Sequence, residues 1–370
     1  MTEQEMVYTM ALTRTPRISL VAQRRLMQAA GSATAVYEHR HHIRELLPEA
    51  TPRLAEAVPQ MEQQLDRARH ELDYAREKKV EVLCLNDMDY PARLRECNDA
   101  PIVLYYKGNA RLNRSHMVGV VGTRHSTEYG KDICRHLAAE LKRLCPDTVV
   151  VSGLAYGIDI NAHRAALDNG LDTIGVLAHG LDRIYPRMHR DTAVAMLQQG
   201  GLLTEFMSGT NADKMNFVRR NRIVAGMTEA IVVVESAQKG GALITADLAL
   251  DYNHSVFAYP GRVTDTYSVG CNNLIRDNKA ALINDAQELA QALGWRQAEA
   301  RRPLAQPSLF DDLSPEEQLL ADSMEGEDGI TASTIAMRSG LPVSQVTALL
   351  FGMEMKGAVR LLGGGNYRLT

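Results

Sequence analysis

Short apolar runs alternate with helical patterns between residues 117 and 235. Residues 117–121 form an apolar run bounded by Gly122, which is typical of a strand buried on both faces of a parallel sheet. A helical pattern follows over residues 126–144, and a second apolar run covers residues 148–151. Because strand, turn and helix keep alternating in this way, the pattern predicts a doubly wound α/β domain. Its ligand site is expected beyond the carboxyl ends of the strands.

The chain before this region is helical and then extended. Helical patterns cover residues 12–30, which Gly31 ends, and residues 52–78. They indicate either a small helix-hairpin-helix or sterile-alpha-motif-like module or a helical cap without an activity of its own. Residues 80–84 and 101–106 read as strands, and we expect them to join the edge of the main sheet.

The last part of the chain predicts a separate small domain. Residues 295–313 contain prolines and little periodicity, which indicates a linker, and Ser314 and Pro315 then begin a helix. Two further helices and a hairpin around residues 363–365 complete a winged-helix pattern. The predicted domains are residues 1–78 (helical), 79–294 (α/β), 295–313 (linker) and 314–370 (winged helix).

Charge argues against strong duplex binding by the winged-helix domain. Winged helices usually bind duplex DNA, but here the acidic residues outnumber four cations, so we favour a protein-contact or regulatory role. The acids are Glu316, Glu317, Asp322, Glu325, Glu327, Asp328 and Glu354.

Composition narrows the class of protein further. The chain has 370 residues, 45% of them hydrophobic, and a formal net charge of −4 at pH 7, so nucleic-acid binding would need a local cationic patch. No apolar run approaches the roughly 20 residues of a membrane span, and no signal peptide is visible. The five cysteines show no metal or redox spacing. We therefore expect a cytoplasmic protein with reduced thiols and no membrane partner.

Polar residues follow the first predicted strand of the α/β domain. Gly122, Thr123 and Arg124 come directly after it. Glycine allows close approach of the backbone to a ligand, the next helix offers free N–H groups, and an arginine fork can hold a phosphate. The alternative is that Arg124 pairs with a carboxylate at the sheet edge.

The second strand ends at Ser152 and Gly153, with Tyr156, Asp159 and His163 following. Asp159 and His163 are four residues apart and share a helix face. They are either a polar pair in a pocket or a structural pair, in which Asp159 caps the helix and His163 bonds to it. We favour the structural interpretation.

The densest cationic cluster is Arg219, Arg220 and Arg222, beside Asn221. At helical spacing Arg219 and Arg222 share one side, while Arg220 points elsewhere. Apolar residues bracket the cluster closely, which favours anion binding over a solvated face. Glu205, at the end of another strand, is interpreted as orienting one of these arginines.

A glycine loop completes the candidate site. Lys239, Gly240 and Gly241 precede a helix and resemble a phosphate cradle. No dinucleotide-binding glycine motif and no Walker loop is present, so we expect no nicotinamide cofactor and no ATP hydrolysis. The strand-end residues predict a concave cationic site for polyphosphate or a nucleic-acid backbone.

Seven short motifs in order resemble the DNA-processing protein DprA (Smf) family. The seven motifs are residues 121–124; residues 152–155 and 157–159 together with His163; residues 180–182 together with 185–186; residues 220–222; residues 240–246; residues 260–261; and residues 270–275. Each is weak alone, but together they span some 160 residues, and the resemblance extends over most of the chain.

The resemblance implies an extended Rossmann-like fold without established catalytic activity. Members bind single-stranded DNA, dimerise through the Rossmann-like domain and load RecA recombinase during natural transformation. The residues expected to bind DNA or phosphate are Gly122, Thr123, Arg124, Ser152, Gly153, Tyr156, Arg219, Arg220, Asn221, Arg222, Lys239, Gly240 and Gly241.

Three departures from the family pattern and one alternative function remain. Tyr156 stands where many relatives carry lysine or an aliphatic residue, which suggests stacking on a base. Residues 277–280 replace a usual Gly-Ala pair, and residues 239–242 replace a Ser-Gly-Ser loop. The alternative is a phosphoribohydrolase-like enzyme using Glu205 or Glu235, but Ala242 and Leu243 break that family's glycine pattern.

Overall fold

A computed structural model describes residues 2–295, 313–324, 330–362 and 366–369. The chain divides into two compact units, Met1–Ala298 and Glu299–Thr370. No helix of the described ranges is both long and apolar enough to cross a membrane.

The first unit begins with a helical module. The predicted helix over residues 12–30 is wrong, because Pro16 interrupts it and Ser19 caps a new helix by accepting from the Ala22 N–H at 3.2 Å. The predicted helix over 52–78 is likewise divided by a 3₁₀ segment that contains Pro59. The α-helices are α1 (Glu3–Arg14), α2 (Leu20–Ala30), α3 (Ala33–Glu38), α4 (Pro52–Ala57) and α5 (Leu65–Lys78).

A nine-stranded sheet forms the centre of the first unit. Its order is β1-β2-β6-β5-β4-β3-β7-β8-β9, and the strands from β6 to β9 in this order are parallel. The strands are β1 (Glu81–Cys84), β2 (Val103–Gly108), β3 (Met117–Val121), β4 (Val149–Ser152), β5 (Asp172–Val176), β6 (Gly200–Thr204), β7 (Ala230–Val233), β8 (Ser255–Ala258) and β9 (Ala281–Leu282).

The sheet topology confirms the Rossmann-like prediction. Strand β3 pairs with β4 on one side and with β7 on the other, so the winding direction reverses there and the carboxyl ends of these strands border a crevice. Strands β1 and β2 add to the β6 edge as an antiparallel pair, as expected for residues 80–106.

Helices cover both faces of the sheet. The helices are α6 (Ala92–Glu96), α7 (Glu128–Leu144), α8 (Ile158–Asp168), α9 (Arg190–Met196), α10 (Lys214–Met227), α11 (Gly241–Asp251), α12 (Val269–Arg276) and α13 (Ala286–Ala292). In β3, Val118 and Val120 pack into the core beneath α7, α8 and α13, while Met117 and Val121 pack into the opposite core, which includes α10, α11 and the helical module. This alternation follows from the two-residue period of a strand.

The unusual turn over residues 277–280 closes helix α12. Asn278 has a left-handed backbone with φ of 55°, which asparagine tolerates better than most residues. The Lys279 N–H then donates to the Leu274 carbonyl at 2.8 Å. Asparagine therefore serves here as a helix-terminating residue in place of glycine.

The second unit has the three helices and antiparallel wing of a winged helix. Ser314 and Glu317 form the predicted capping box, with N–H to side-chain distances of 2.7 and 3.2 Å. The strand order is β10-β12-β11. The elements are α14 (Pro315–Met324), β10 (Ile330–Thr331), α15 (Ala332–Ser339), α16 (Val343–Met355), β11 (Val359–Leu362) and β12 (Asn366–Leu369).

Some predictions concern residues outside the described ranges. They are most of the linker, at residues 296–312, the acids Glu325, Glu327 and Asp328, and the turn at residues 363–365.

Candidate functional site

The crevice between β3 and β7 is closed at its base by backbone contacts. The Thr123 N–H donates to the Glu235 carbonyl at 2.7 Å, and the Ile158 N–H donates to the Thr123 carbonyl at 3.1 Å. The Glu235 carboxylate is buried and accepts from the Thr127 N–H at 2.9 Å and from its hydroxyl at 2.5 Å. Glu235 therefore anchors the loop after β3 and does not face the open side of the site.

Arg124 projects from this loop into solvent. Its guanidinium lies over the Phe217 ring, 5.0 Å from the centroid, and Phe217 in turn packs on Tyr185 with centroids 5.9 Å apart. Among the described residues Arg124 makes no ion pair, so the alternative of a carboxylate partner is wrong. An exposed guanidinium held on an aromatic ring is available to an anion.

Arg220 lies below the loops, not on the surface. It is 4% exposed and donates from Nη1 to the Val176 carbonyl at 3.0 Å. A Cβ on Gly153 would overlap its guanidinium, so only glycine fits at that position. Burial lowers the pKa of Arg220, which Asp159 opposes. Arg220 thus supports the ends of β4 and β5 from beneath.

The interpretation of Asp159 as a helix cap bonded to His163 is wrong. Gly157 occupies the cap position of α8, and Asp159 Oδ2 accepts from the Gly153 N–H at 3.2 Å. His163 Nδ1 lies 2.7 Å from the Thr173 hydroxyl. Helix α8 turns both residues inward toward the sheet, where Asp159 holds the loop after β4 and His163 contacts strand β5.

The protonation of His163 follows from its neighbours. The Thr173 hydroxyl donates to the Val150 carbonyl at 2.9 Å, so His163 Nδ1 must carry the proton that it donates to Thr173. Burial lowers the pKa of His163 to about 3, and the ring is neutral at pH 7. It therefore adds no charge to the site.

Glu205 orients two of the three clustered arginines, as predicted. Its Oε2 pairs with Arg222 at 2.6 Å and with Arg219 at 3.1 Å. Arg222 is buried and also donates to the Asp99 carbonyl, whereas the Arg219 side chain is 44% exposed and lies over the Phe206 ring. Of this cluster, Arg219 is the arginine that reaches solvent.

The loop before helix α11 leaves open space. The helix has no side-chain cap. A Cβ on Gly240 would lie 3.5 Å from the Ser236 hydroxyl, and one on Gly241 would lie 3.8 Å from Asn221 Nδ2. Lys239 is exposed and has no partner in the part of the chain that the structure describes. The fold itself does not demand these glycines, and the free N–H groups of α11 are open to an anion.

Aromatic residues flank the cations. Tyr156 is 42% exposed and Tyr185 is 49% exposed. The Tyr156 ring packs edge-on against His189, with centroids 5.2 Å apart, and His189 is fixed by a 2.9 Å contact of its Nδ1 with the Leu154 carbonyl. Tyr185 and Phe217 were not predicted as site residues, although both are aromatic residues close to strand ends or to the arginine cluster.

The predicted site residues therefore divide by exposure. The buried residues are Ser152, Gly153, Arg220 and Arg222. The Ser152 hydroxyl donates to the Val120 carbonyl at 2.6 Å. Gly122, Thr123 and Asn221 are half-buried. The exposed residues are Arg124, Tyr156, Arg219, Lys239, Gly240 and Gly241. No group of three or more metal-ligating side chains that could hold a metal ion is present among the described residues.

Known proteins share this architecture. The family model of the DNA recombination-mediator protein A matches residues 81–294, and that of the DprA winged helix domain matches residues 301–365. The chain belongs to the DNA recombination-mediator protein A family. The family resemblance deduced from the motifs is therefore confirmed.

Individual members of the family agree with the match. The DNA processing protein DprA of Bacillus subtilis is 37% identical over 229 residues, which are 62% of this chain and 76% of that protein. The X-ray structure of DprA from Streptococcus pneumoniae superposes with a TM-score of 0.67 at 29% identity, over 77% of this chain and 97% of that one.

A second solved structure is reported for its binding mode. DNA processing protein A of Helicobacter pylori, described for its unique single-stranded DNA binding mode, superposes with a TM-score of 0.53 at 29% identity. It covers 59% of this chain and 97% of its own.

The two kinds of glycine in the site predict effects of very different size for an added methyl group. Gly153→Ala should lower the free energy of unfolding by about 3 kcal/mol, because the methyl group displaces the buried Arg220 guanidinium. Gly240→Ala should change it by less than about 1 kcal/mol, because the space is open and the backbone is extended. Urea unfolding measures both, and equal destabilisation by the two variants would contradict the assignment.

Proposed function

We propose that this chain binds single-stranded DNA across the carboxyl edge of its parallel sheet. The observation that carries the proposal is Arg124, an exposed guanidinium without a carboxylate partner among the described residues, held on Phe217 beside the crevice. Family membership and the single-stranded DNA binding described for the H. pylori relative support the same function.

The cations contact the phosphates of the strand. Arg124, Arg219 and Lys239 are exposed, and the uncapped N-terminus of α11 adds backbone donors. Such contacts release counterions from the nucleic acid and make the affinity salt-dependent. A local patch of this kind binds DNA although the chain as a whole carries a net charge of −4.

The aromatic residues contact the bases. Tyr156 is exposed and rests on a fixed imidazole, and burial lowers the pKa of that His189 ring, which keeps it neutral. Stacking on an aromatic ring tolerates every base. We therefore propose binding with little sequence preference.

Two observations favour binding over hydrolysis of a nucleotide. The Glu205 side chain is 3% exposed and holds two arginines, and both Glu235 oxygens bond to Thr127. Neither carboxylate reaches a ligand in the open crevice without giving up these contacts. We propose a recombination mediator and not a phosphoribohydrolase-like enzyme.

The proposed mediator acts as a homodimer, joined through the Rossmann-like domain, that loads RecA onto incoming DNA in the cytoplasm. The description of the family as a recombination mediator supports this role. The winged helix supports a protein contact, because Phe351 and Met355 on α16 are 67% and 77% exposed and an apolar face suits a protein partner better than a phosphate backbone.

Removal of the Arg124 side chain should weaken single-strand binding about tenfold, since one charge-assisted contact is lost. The slope of log affinity against log salt should fall by about 0.7. Fluorescence anisotropy with a labelled oligo-dT at several salt concentrations measures both for Arg124→Ala. Arg143→Ala, in the last turn of α7, is the matched control. Equal affinities of Arg124→Ala and Arg143→Ala for the oligonucleotide would contradict the proposed site.

Removal of the Tyr156 ring should act differently. Tyr156→Leu should weaken binding by about 1–3 kcal/mol, the usual worth of one stacked base, without changing the salt slope. On an oligonucleotide of abasic sites the variant and wild type should bind equally. A change in salt slope, or an undiminished loss on the abasic strand, would show that Tyr156 does not stack on a base.

RecA loading should depend on the same crevice. RecA filament growth on an oligonucleotide covered with single-strand binding protein should begin sooner in the presence of this chain than without it. Arg124→Ala should abolish the acceleration and Arg143→Ala should keep it.

Light scattering should give the mass of two chains. A monomer, or acceleration that Arg124→Ala leaves intact, would contradict the proposed mechanism.

A further inference from the structure

Helix α5 of the helical module contacts the loop that follows β6, at residues 205–213. Ser208 lies at the contact: its N–H donates to Glu71 Oε1 at 2.8 Å, and its hydroxyl donates to Glu71 Oε2 at 2.6 Å. Both oxygens of one glutamate on α5 thus hold one residue of the loop.

The Glu71 carboxylate is 2% exposed, and its charge is balanced on the same helix. Arg67 pairs with Glu71 at 2.9 Å, and its Nη2 donates to the Ser208 carbonyl at 2.5 Å. A buried carboxylate persists only when its charge is paired and its oxygens are hydrogen-bonded. Here the loop supplies those donors, so the position of the loop and the burial of Glu71 depend on each other.

The same loop carries the support of an exposed cation. Glu205 pairs with Arg219 at 3.1 Å, and the Phe206 ring lies 5.1 Å beneath the Arg219 guanidinium. On its other side the loop is tied by the Gly209 N–H, which donates to Asp182 at 2.9 Å. The contact at Ser208 therefore lies two residues from the ring on which Arg219 rests.

We propose that Glu71, with Arg67, positions the β6–α10 loop so that Arg219 faces the DNA strand, which makes the helical module part of the binding site. Glu71 is a positioning residue, since it lies under the loop and does not contact DNA. The inference rests on the proposed single-strand binding. Glu71 and Arg67 precede the range 81–294 that the family model matches. The match to the family therefore says nothing about their contact with the β6–α10 loop.

Anisotropy with labelled oligo-dT tests the proposal through a double-mutant cycle on the full chain. The variants are Glu71→Ala, Arg219→Ala and Arg124→Ala, with the doubles Glu71→Ala/Arg219→Ala and Glu71→Ala/Arg124→Ala. Glu77→Ala, an exposed glutamate on the same helix, is the matched control. Ser208→Ala is a milder second variant, because it removes only the hydroxyl, with its bonds to Glu71 and Arg67, and keeps both residues of the helical module.

Glu71→Ala should weaken binding about fivefold, in the range expected for coupled neighbours, and lower the salt slope by about 0.7, as for one lost phosphate contact. It should add no further loss in the Arg219→Ala background. With Arg124→Ala the two losses should multiply. Ser208→Ala should show the same pattern at smaller size, and Glu77→Ala should bind as wild type does.

Three results would overturn the proposal while leaving the proposed function intact. The first is that Glu71→Ala and Ser208→Ala both bind with wild-type affinity. The second is that the loss caused by Glu71→Ala multiplies with that of Arg219→Ala as fully as with that of Arg124→Ala. The third is that Glu71→Ala leaves the salt slope unchanged. If Glu71→Ala unfolds, Ser208→Ala combined in turn with Arg219→Ala and with Arg124→Ala decides by the same criteria. No single-strand binding by the wild type would instead contradict the proposed function itself.

Discussion

The buried guanidinium of Arg220 is the constraint on which the candidate site depends. Taking a cation out of water is costly. At the ends of β4 and β5 the Val176 carbonyl accepts a hydrogen bond from Arg220, and the charge of Asp159 opposes the effect of burial. The space for the guanidinium exists only because residue 153 is glycine. Once Arg220 points inward, the rotation of α10 about its axis is set, and Arg219 turns toward the open side.

This arrangement separates the cations that support the structure of the site from the cations that are exposed to a ligand. Arg220 and Arg222 are buried against carbonyl and carboxylate oxygens, whereas Arg124 rests on an aromatic ring and Lys239 extends from an open loop. The available cations lie on both sides of the point where the sheet reverses its winding. A strand that crosses this edge meets positive charge and aromatic rings together, which is the combination that single-strand binders use.

The helical module belongs to the same compact unit as the sheet. Apolar residues of the module and of the sheet share one core, and Glu71 contacts the loop whose Glu205 and Phe206 support Arg219. The choice between an active module and an inert cap is therefore incomplete. A cap that holds a loop of the candidate site supports that site without lying in the crevice.

Local patterns in the sequence predicted most of the elements, the winged helix and the family. The apolar run at 117–121, the box formed by Ser314 and Glu317, and the ordered glycine motifs all report on backbone conformation within a few residues. The errors were also local: Pro16 and Pro59 divide two helical patterns that apolar periodicity alone joins.

Tertiary structure decided which side chains are free. Spacing along α10 separated Arg220 from its neighbours, but only the packed sheet buried Arg222 and left Arg219 in solvent. The partners of His163, Arg124 and Glu71 are 10, 93 and 137 residues away in the chain. Such pairs form because the fold brings distant strand ends and helices together, and no periodicity within one segment encodes them.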